Sequence, residues 1–347
     1  MATTLVMWFC TCYVVISLIF CLHGVDGSLE SNITHPKTIK TEYGDIYDCV
    51  DLYKQPAFQH PLLKNHKIKA FPEQIEVSNN LSYGLKEGCP LGTVPIRRIT
   101  KEEQLLAEDM FTQQFQPSAT TFQNNKQQSR FSGIVARPVY RKYGLASAYM
   151  STHNPSVGNG QLSGSVISLE CDVGGFDTIR AGWMASDIYK GTQKGCFNTY
   201  CPGFVQINPK LPLDFIISQL SVTGGAYSYI KLDIELHLDG WYLIHTENNV
   251  LIGYWPLALF NCLNTGAKVL SWGGWVSSVT QNLPMMGDGL HGNIGSVFRQ
   301  VVSDVKPDLL ITQSNCYKAG VNPAKGSYWG QSFWYGGNGG DLRKCPL

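Results

Sequence analysis

Lys231-Leu-Asp-Ile-Glu-Leu-His-Leu-Asp-Gly-Trp-Tyr-Leu-Ile-His245 is the stretch from which the fold reads outward. Leu232, Ile234, Leu236 and Leu238 alternate with Asp233, Glu235, His237 and Asp239, a period of two that predicts a strand with one buried and one wet face. Asp239-Gly240 supplies turn chemistry, and Trp241 to Ile244 begin the return strand. Weaker strands are expected at Ser165 to Leu169, Gly203 to Ile207, Val250 to Tyr254 and Lys268 to Trp272. The glycine pairs Gly174-Gly175, Gly224-Gly225, Gly273-Gly274 and Gly336-Gly337 read as turns or bulges between them. Helical spacing is confined to Pro256–Leu263 and to Lys101–Phe111. Many short strands with few helices imply an all-β fold, an antiparallel β-sandwich of two sheets, from residue 133 to 347.

The composition agrees with such a chain. Of 347 residues only 15% are charged, against about 25% in typical soluble proteins, and 35 are glycine. With 27 Lys and Arg against 26 Asp and Glu, no basic surface for nucleic acid is predicted. Upstream of the strands, Lys101 to Arg130 is polar and rich in Gln, a connector assigned to residues 101–132. It is either a processing site or an ordinary inter-domain loop. Residues 28–100 form a basic, Pro-containing region bracketed by Cys49 and Cys89.

Eleven cysteines are an odd set until the N-terminus is considered. Leu5 to Leu22 is apolar apart from Thr11 and Ser17, and it ends in the small residues Gly24 and Gly27, so residues 1–27 read as a secretory signal peptide. An uncleaved membrane anchor is the alternative. Cleavage removes Cys10, Cys12 and Cys21 and leaves eight cysteines, an even set suited to disulfides in an oxidising compartment. The sequons at Asn32 and Asn80 fit the same route. No membrane association is expected after signal cleavage.

Chemical motifs are sparse. Gly287-Asp-Gly-Leu-His-Gly292 has the letters of a dinucleotide fingerprint but lacks the strand-turn-helix context. No nucleophile elbow, His-Glu-x-x-His or paired Cys-x-x-Cys occurs, so neither a metal nor another cofactor is expected. His60 and His66 read as surface or packing residues. Cys196 and Cys201 are spaced to staple a tight loop.

Several ordered motifs resemble one family across nearly the whole mature chain. Lys37 to Asp51, Gln55-Pro-Ala-Phe-Gln-His60 through His66, Cys89-Pro90 and Gly92 to Arg98 look like the activation peptide of the plant neprosin family. Ala181-Gly182-Trp183, Gly195-Cys196-Phe197-Asn198, Cys201 to Gln206, Gly253-Tyr254-Trp255-Pro256, Trp272-Gly273-Gly274, Gln313 to Tyr317 and Tyr335-Gly336-Gly337 resemble its catalytic domain. The resemblance implies a secreted β-sandwich made as a zymogen, destined for the extracellular space, cell wall or vacuole. Its active members are glutamic endopeptidases that cleave after proline in acid. By the same resemblance Cys49 pairs with Cys89, Cys196 with Cys201 and Cys316 with Cys345, while Cys171 and Cys262 are left to pair or remain free.

The resemblance also locates a loss. The family carries one glutamate immediately before Ala-Gly-Trp and another immediately after Trp-Gly-Gly. Here those places hold Arg180 and Trp275. Two carboxyl groups of split pKa are needed, one to activate water and one to donate a proton. Arginine stays protonated and indole does not titrate, so neither can act in that way. The stretch from Met184 to Lys194 is also shorter than the family's. The expectation is an inactive relative whose cleft, lined by Arg180, Trp183, Trp272 and Trp275, binds a peptide, protein or glycan. The alternative is an active endopeptidase with relocated acids drawn from Glu170, Asp172, Asp177, Asp187 and Asp288.

Overall fold

The computed structural model describes residues 37–69, 83–101, 128–137, 140–158, 160–172, 177–186, 197–245, 249–278, 280–292, 295–321 and 332–345. Outside these lie the Leu5 to Leu22 run, Asn32, Asn80, most of the Gln-rich connector with its expected helix, Asp187 and Cys196.

In chain order the strands are β1 (Thr38–Lys40), β2 (Ile46–Asp51), β3 (Thr93–Arg97), β4 (Gln128–Arg137), β5 (Leu145–Ser151) and β6 (Gln161–Cys171). They continue as β7 (Asp177–Ser186), β8 (Val205–Gln206), β9 (Tyr229–Leu236), β10 (Gly240–His245), β11 (Val250–Pro256) and β12 (Val269–Ser278). The last are β13 (Asn282–Leu283), β14 (Ser296–Ser303), β15 (Asp308–Thr312), β16 (Lys318–Val321), β17 (Phe333–Gly336) and β18 (Gly340–Asp341). Their pairings are antiparallel. Two large sheets result, ordered β16-β17-β14-β5-β9-β10-β11-β8 and β15-β4-β12-β6-β7. The fold is therefore the all-β antiparallel arrangement that the alternation predicts.

The deciding stretch forms β9 and β10, with Leu236 opposite Trp241 and Ile234 opposite Leu243. Leu232, Ile234, Trp241 and Leu243 are buried in the main core. Leu238 departs from the predicted buried face and is 94% exposed. It lies beyond the last paired position, at the hairpin tip, where alternation no longer dictates a face. Asp233 departs the other way: it is buried beneath Ser147, whose hydroxyl donates to its carboxylate. A hydrogen bond of this kind is what permits a carboxylate on a covered part of the sheet.

Facing this sheet, Ile134, Leu270, Trp272, Val276, Ile167, Leu169, Ile179 and Trp183 turn inward from the five-stranded sheet. Burying one such side chain contributes on the order of 1.5–3 kcal/mol. Gly273 and Gly274 lie in the middle of β12 rather than in a turn. A side chain on Gly274 would strike Met286 and Tyr335 at 2.5 Å, so close packing between the layers, not a bend, requires the glycine there. The predicted helix after Pro256 is instead two short 3-10 turns, Leu257–Leu259 and Leu263–Thr265. Phe260 between them is extended at φ −115° and ψ 142°.

Three disulfides tie described residues. Cys49–Cys89 and Cys316–Cys345 are as the resemblance implies, and Cys171 and Cys262 also pair, with Cα atoms 5.8 Å apart. Cys201 is disulfide-bonded as well.

The N-terminal region builds its own sheet, β1-β2-β3, over a small core of Ile39, Tyr47, Cys49, Leu85 and Cys89. Pro56–Gln59 and Pro61–Leu63 form 3-10 turns that start at proline, whose fixed φ suits a first helical position. They bring Ala57 and Leu63 against Val205 and Tyr254 of β8 and β11. Gln55 extends its amide along β8, accepting from the Gln206 N–H at 2.7 Å and donating to the Gln206 carbonyl at 3.0 Å.

Candidate functional site

Alternation on the five-stranded sheet divides the predicted cleft residues between two faces. Trp272 and Trp275 are three residues apart on β12, as are Arg180 and Trp183 on β7. Odd spacing on a strand puts side chains on opposite faces. Trp272 is 0% exposed and Trp183 6% exposed, both within the inter-sheet core. Trp183 donates its indole N–H to the Ser151 carbonyl at 2.8 Å. These two tryptophans are core residues and do not line a cleft. Arg180 and Trp275 point to the open face.

The register places Arg180 beside Ser168 of β6, and Ser168 beside Ser271 of β12. Trp275 lies four pairings along the sheet, two rows on the same face, level with Gly164 and with Phe131 of β4. Between these rows run Gly133, Gly273, Val166 and Gly182. A side chain on Gly273 would come within 2.8 Å of the Phe131 ring, so that ring lies over the row. At Gly182 an added Cβ would collide with the Ser165 carbonyl, which accounts for the glycine of Ala-Gly-Trp. This low floor lets the long Arg180 side chain cross to Trp275. Its guanidinium carbon stands 5.1 Å from the indole centroid, within cation–π range. The two positions that the family resemblance singles out are thus in contact.

Further partners fix the pair. Arg180 donates through Nε to the Ser168 hydroxyl at 3.3 Å and through Nη2 to Glu170 Oε1 at 3.5 Å. The Ser168 hydroxyl donates to the same Glu170 oxygen at 3.0 Å. Phe197 stacks on Trp275 with centroids 6.4 Å apart and planes 25° apart. The face therefore presents a half-exposed guanidinium, two stacked aromatic rings and one carboxylate bound to the guanidinium. Such a set can hold an anionic group and pack against a ring or an apolar chain.

Of the candidate substitute acids among the described residues, only Glu170 joins this cluster. Asp172 is 76% exposed and ion-pairs with Lys268 at 3.8 Å. Asp177 is buried and accepts from the backbone N–H groups of Cys262 and Leu263, at 2.6 and 3.1 Å. Asp288 is placed by the other sheet, accepting from the Leu290 N–H at 3.1 Å and from the hydroxyl of Ser296 on β14 at 3.4 Å. Asp187 lies outside the described residues.

Ser168 and Phe197 are site residues that sequence reasoning missed. Ser168 had a usable signal, since it is two residues from Glu170 and shares its face. Phe197 had only its place in the Gly195–Asn198 motif, because no strand register leads from it to Trp275. Among the described residues no group of His, Cys, Asp and Glu is arranged to hold a metal ion.

Two family models match the chain. A family model described as Neprosin matches residues 159–338, and one described as Neprosin activation peptide matches residues 38–138. Among solved structures the chain is similar to SCP-B, a member of the eqolisin family of peptidases, in a complex with the tripeptide Ala-Ile-His. The identity is 10% and the TM-score 0.32, over 61% of this chain and 99% of that one. It is also similar to Scytalido-glutamic peptidase with a peptide-based transition-state analogue, at 12% identity and a TM-score of 0.32 over the same shares.

Proposed function

The chain belongs to the neprosin family, and from that membership we propose that it is a secreted member that no longer hydrolyses peptide bonds and instead holds a peptide or glycan partner on its open face. One observation carries the reading: the positions expected to bear both catalytic glutamates hold Arg180 and Trp275, packed on each other at 5.1 Å. Hydrolysis by paired carboxyl groups needs one to take a proton from water while the other gives one to the leaving amine. The carboxylate that the fold brings to this pair, Glu170, is engaged by Arg180 and Ser168. Beyond Arg180, β7 is the last strand of its sheet among the described residues. Three disulfides support an oxidising, secretory compartment.

The test pairs catalysis with binding. Incubation of the processed protein with a proline-containing peptide at about pH 3, where one carboxyl of a pair would be protonated, is expected to give no cleavage. Titration of the same peptide is expected to change the Trp275 fluorescence, and Arg180→Ala to abolish the change. Turnover that is lost in Glu170→Gln or Asp288→Asn would establish instead an active peptidase with relocated acids.

A further inference from the structure

The N-terminal region, residues 37–101, is fastened to the sandwich along a belt of contacts. At one end Arg97 of β3 donates to the Asp214 carboxylate at 3.1 Å, lies 3.8 Å from Asp45 and reaches the Tyr200 hydroxyl. The Tyr47 hydroxyl donates to the Asp214 carbonyl at 3.1 Å. In the middle the Leu85 N–H donates to the Lys210 carbonyl at 2.9 Å and the Cys89 N–H to the Pro209 carbonyl at 2.8 Å. The Tyr83 hydroxyl donates to the Tyr229 carbonyl at 2.7 Å. At the far end Gln55 holds both backbone groups of Gln206, and His66 Nε2 lies 2.7 Å from the Tyr254 hydroxyl. Ala57 and Leu63 complete the belt as apolar anchors against Val205 and Tyr254.

Such contacts have the character of a protein interior. Arg97 and Asp214 are 11% and 6% exposed in their side chains, and Gln55 and Gln206 are buried. Separation would give up one charge-paired contact, two buried hydrogen bonds to the Gln206 backbone and the apolar contacts of Ala57 and Leu63 at once. Among the described disulfides none joins the region to the sandwich, since Cys49 and Cys89 bond to each other.

From these contacts we infer that residues 37–101 are a lasting partner of the sandwich: cutting the chain between residues 102 and 127 leaves the two pieces bound as a non-covalent pair. The docking surface is β8, β11 and the 197–217 stretch, and its occupant is this chain's own N-terminal region. Once the chain is cut, the covalent connection no longer supplies effective concentration. The belt itself sets the affinity. The inference is independent of whether the open face hydrolyses or only binds.

A recognition sequence for a specific protease, inserted between Gln114 and Gln123 of the full-length protein, allows the folded chain to be cut and then passed through a sizing column at neutral pH and about micromolar concentration, far below the linker's effective concentration. The expected result is one peak at the intact position that separates into two fragments on a non-reducing denaturing gel. A fragment containing residues 37–101 that elutes alone would overturn the inference. Gln55→Ala and Tyr47→Phe, cut after folding, are each expected to speed exchange of a labelled fragment about fivefold to tenfold, in line with loss of buried hydrogen bonds. Exchange unchanged in both variants would equally refute the belt as the source of retention.

Discussion

Replacing Arg97 by alanine isolates the charge pair at the heart of the belt. Its partner Asp214 has a side chain only 6% exposed, and the Arg97 Nε–Asp214 distance is 3.1 Å. Removing one partner of a buried pair costs about 3–5 kcal/mol, because the remaining charge has lost both water and counter-ion. Burial holds the Asp214 carboxyl above the ordinary carboxylate range, nearby Arg97 pulls it partly back, and Asp45 adds to the rise. A carboxyl raised in the folded state contributes stability that is full below its unfolded value of about 3.9 and is lost as pH rises through the folded value. Without Arg97 the folded value climbs further, so the loss extends to higher pH. The deficit of R97A against the parent therefore narrows on acidification. It shrinks by about 1.4 kcal/mol per pH unit between the variant's Asp214 value and the parent's lower one. Urea unfolding of the parent, R97A and R97A/D214N from pH 7.5 to pH 5 reads this directly. The double variant has no proton to gain at position 214, so its own stability should lack the slope that R97A shows over this range. An R97A deficit under about 1 kcal/mol at pH 7.5 that does not change with pH would be the behaviour of a solvated surface pair, and would refute the reasoning.

Two other consequences are testable. Replacing Cys171 and Cys262 by alanine opens a loop spanning 91 positions and should cost roughly 4–5 kcal/mol, seen as a lower urea midpoint; two freely titrating thiols at these positions in the unreduced folded protein would contradict the pairing. Burial pulls the His60 and His66 imidazoles below their ordinary value. Their contribution to docking is complete above about pH 6.5 and is lost as pH falls through their folded values. Amide exchange over residues 56–66, corrected for its intrinsic pH dependence, should therefore quicken in acid, and His60→Gln with His66→Gln should flatten that response.

The deciding hairpin was legible because it combines strict alternation with a turn dipeptide. The longer strands were not fully so. β6 carries Ser163 and Ser165 on the buried side, and β12 has Gly273-Gly274 at its centre, so neither displays the apolar beat that marks a strand. Positions 180 and 275 were located by resemblance alone, since no periodicity distinguishes an arginine and a tryptophan standing where glutamates are expected. Their separation from Trp183 and Trp272 was available from parity, because an interval of three residues reverses the face. The contact between Arg180 and Trp275 was not available. It depends on strands that meet only through the register of β6 with β7 and β12, which links segments about 100 residues apart. Attachment of the N-terminal region was equally hidden, because Gln55, Tyr47 and Arg97 are ordinary polar residues until their partners on the sandwich are known.

The bond between Gln55 and Gln206 has a consequence for solubility. β8 ends the eight-stranded sheet, and a terminal strand with unfilled N–H and C=O groups is a template on which a foreign strand can grow. A side-chain amide fills that template in the way a neighbouring strand would, but it cannot pass the pattern on to another chain. At Gln206 the Gln55 amide thus closes the one N–H and one C=O with which a foreign strand would begin to pair.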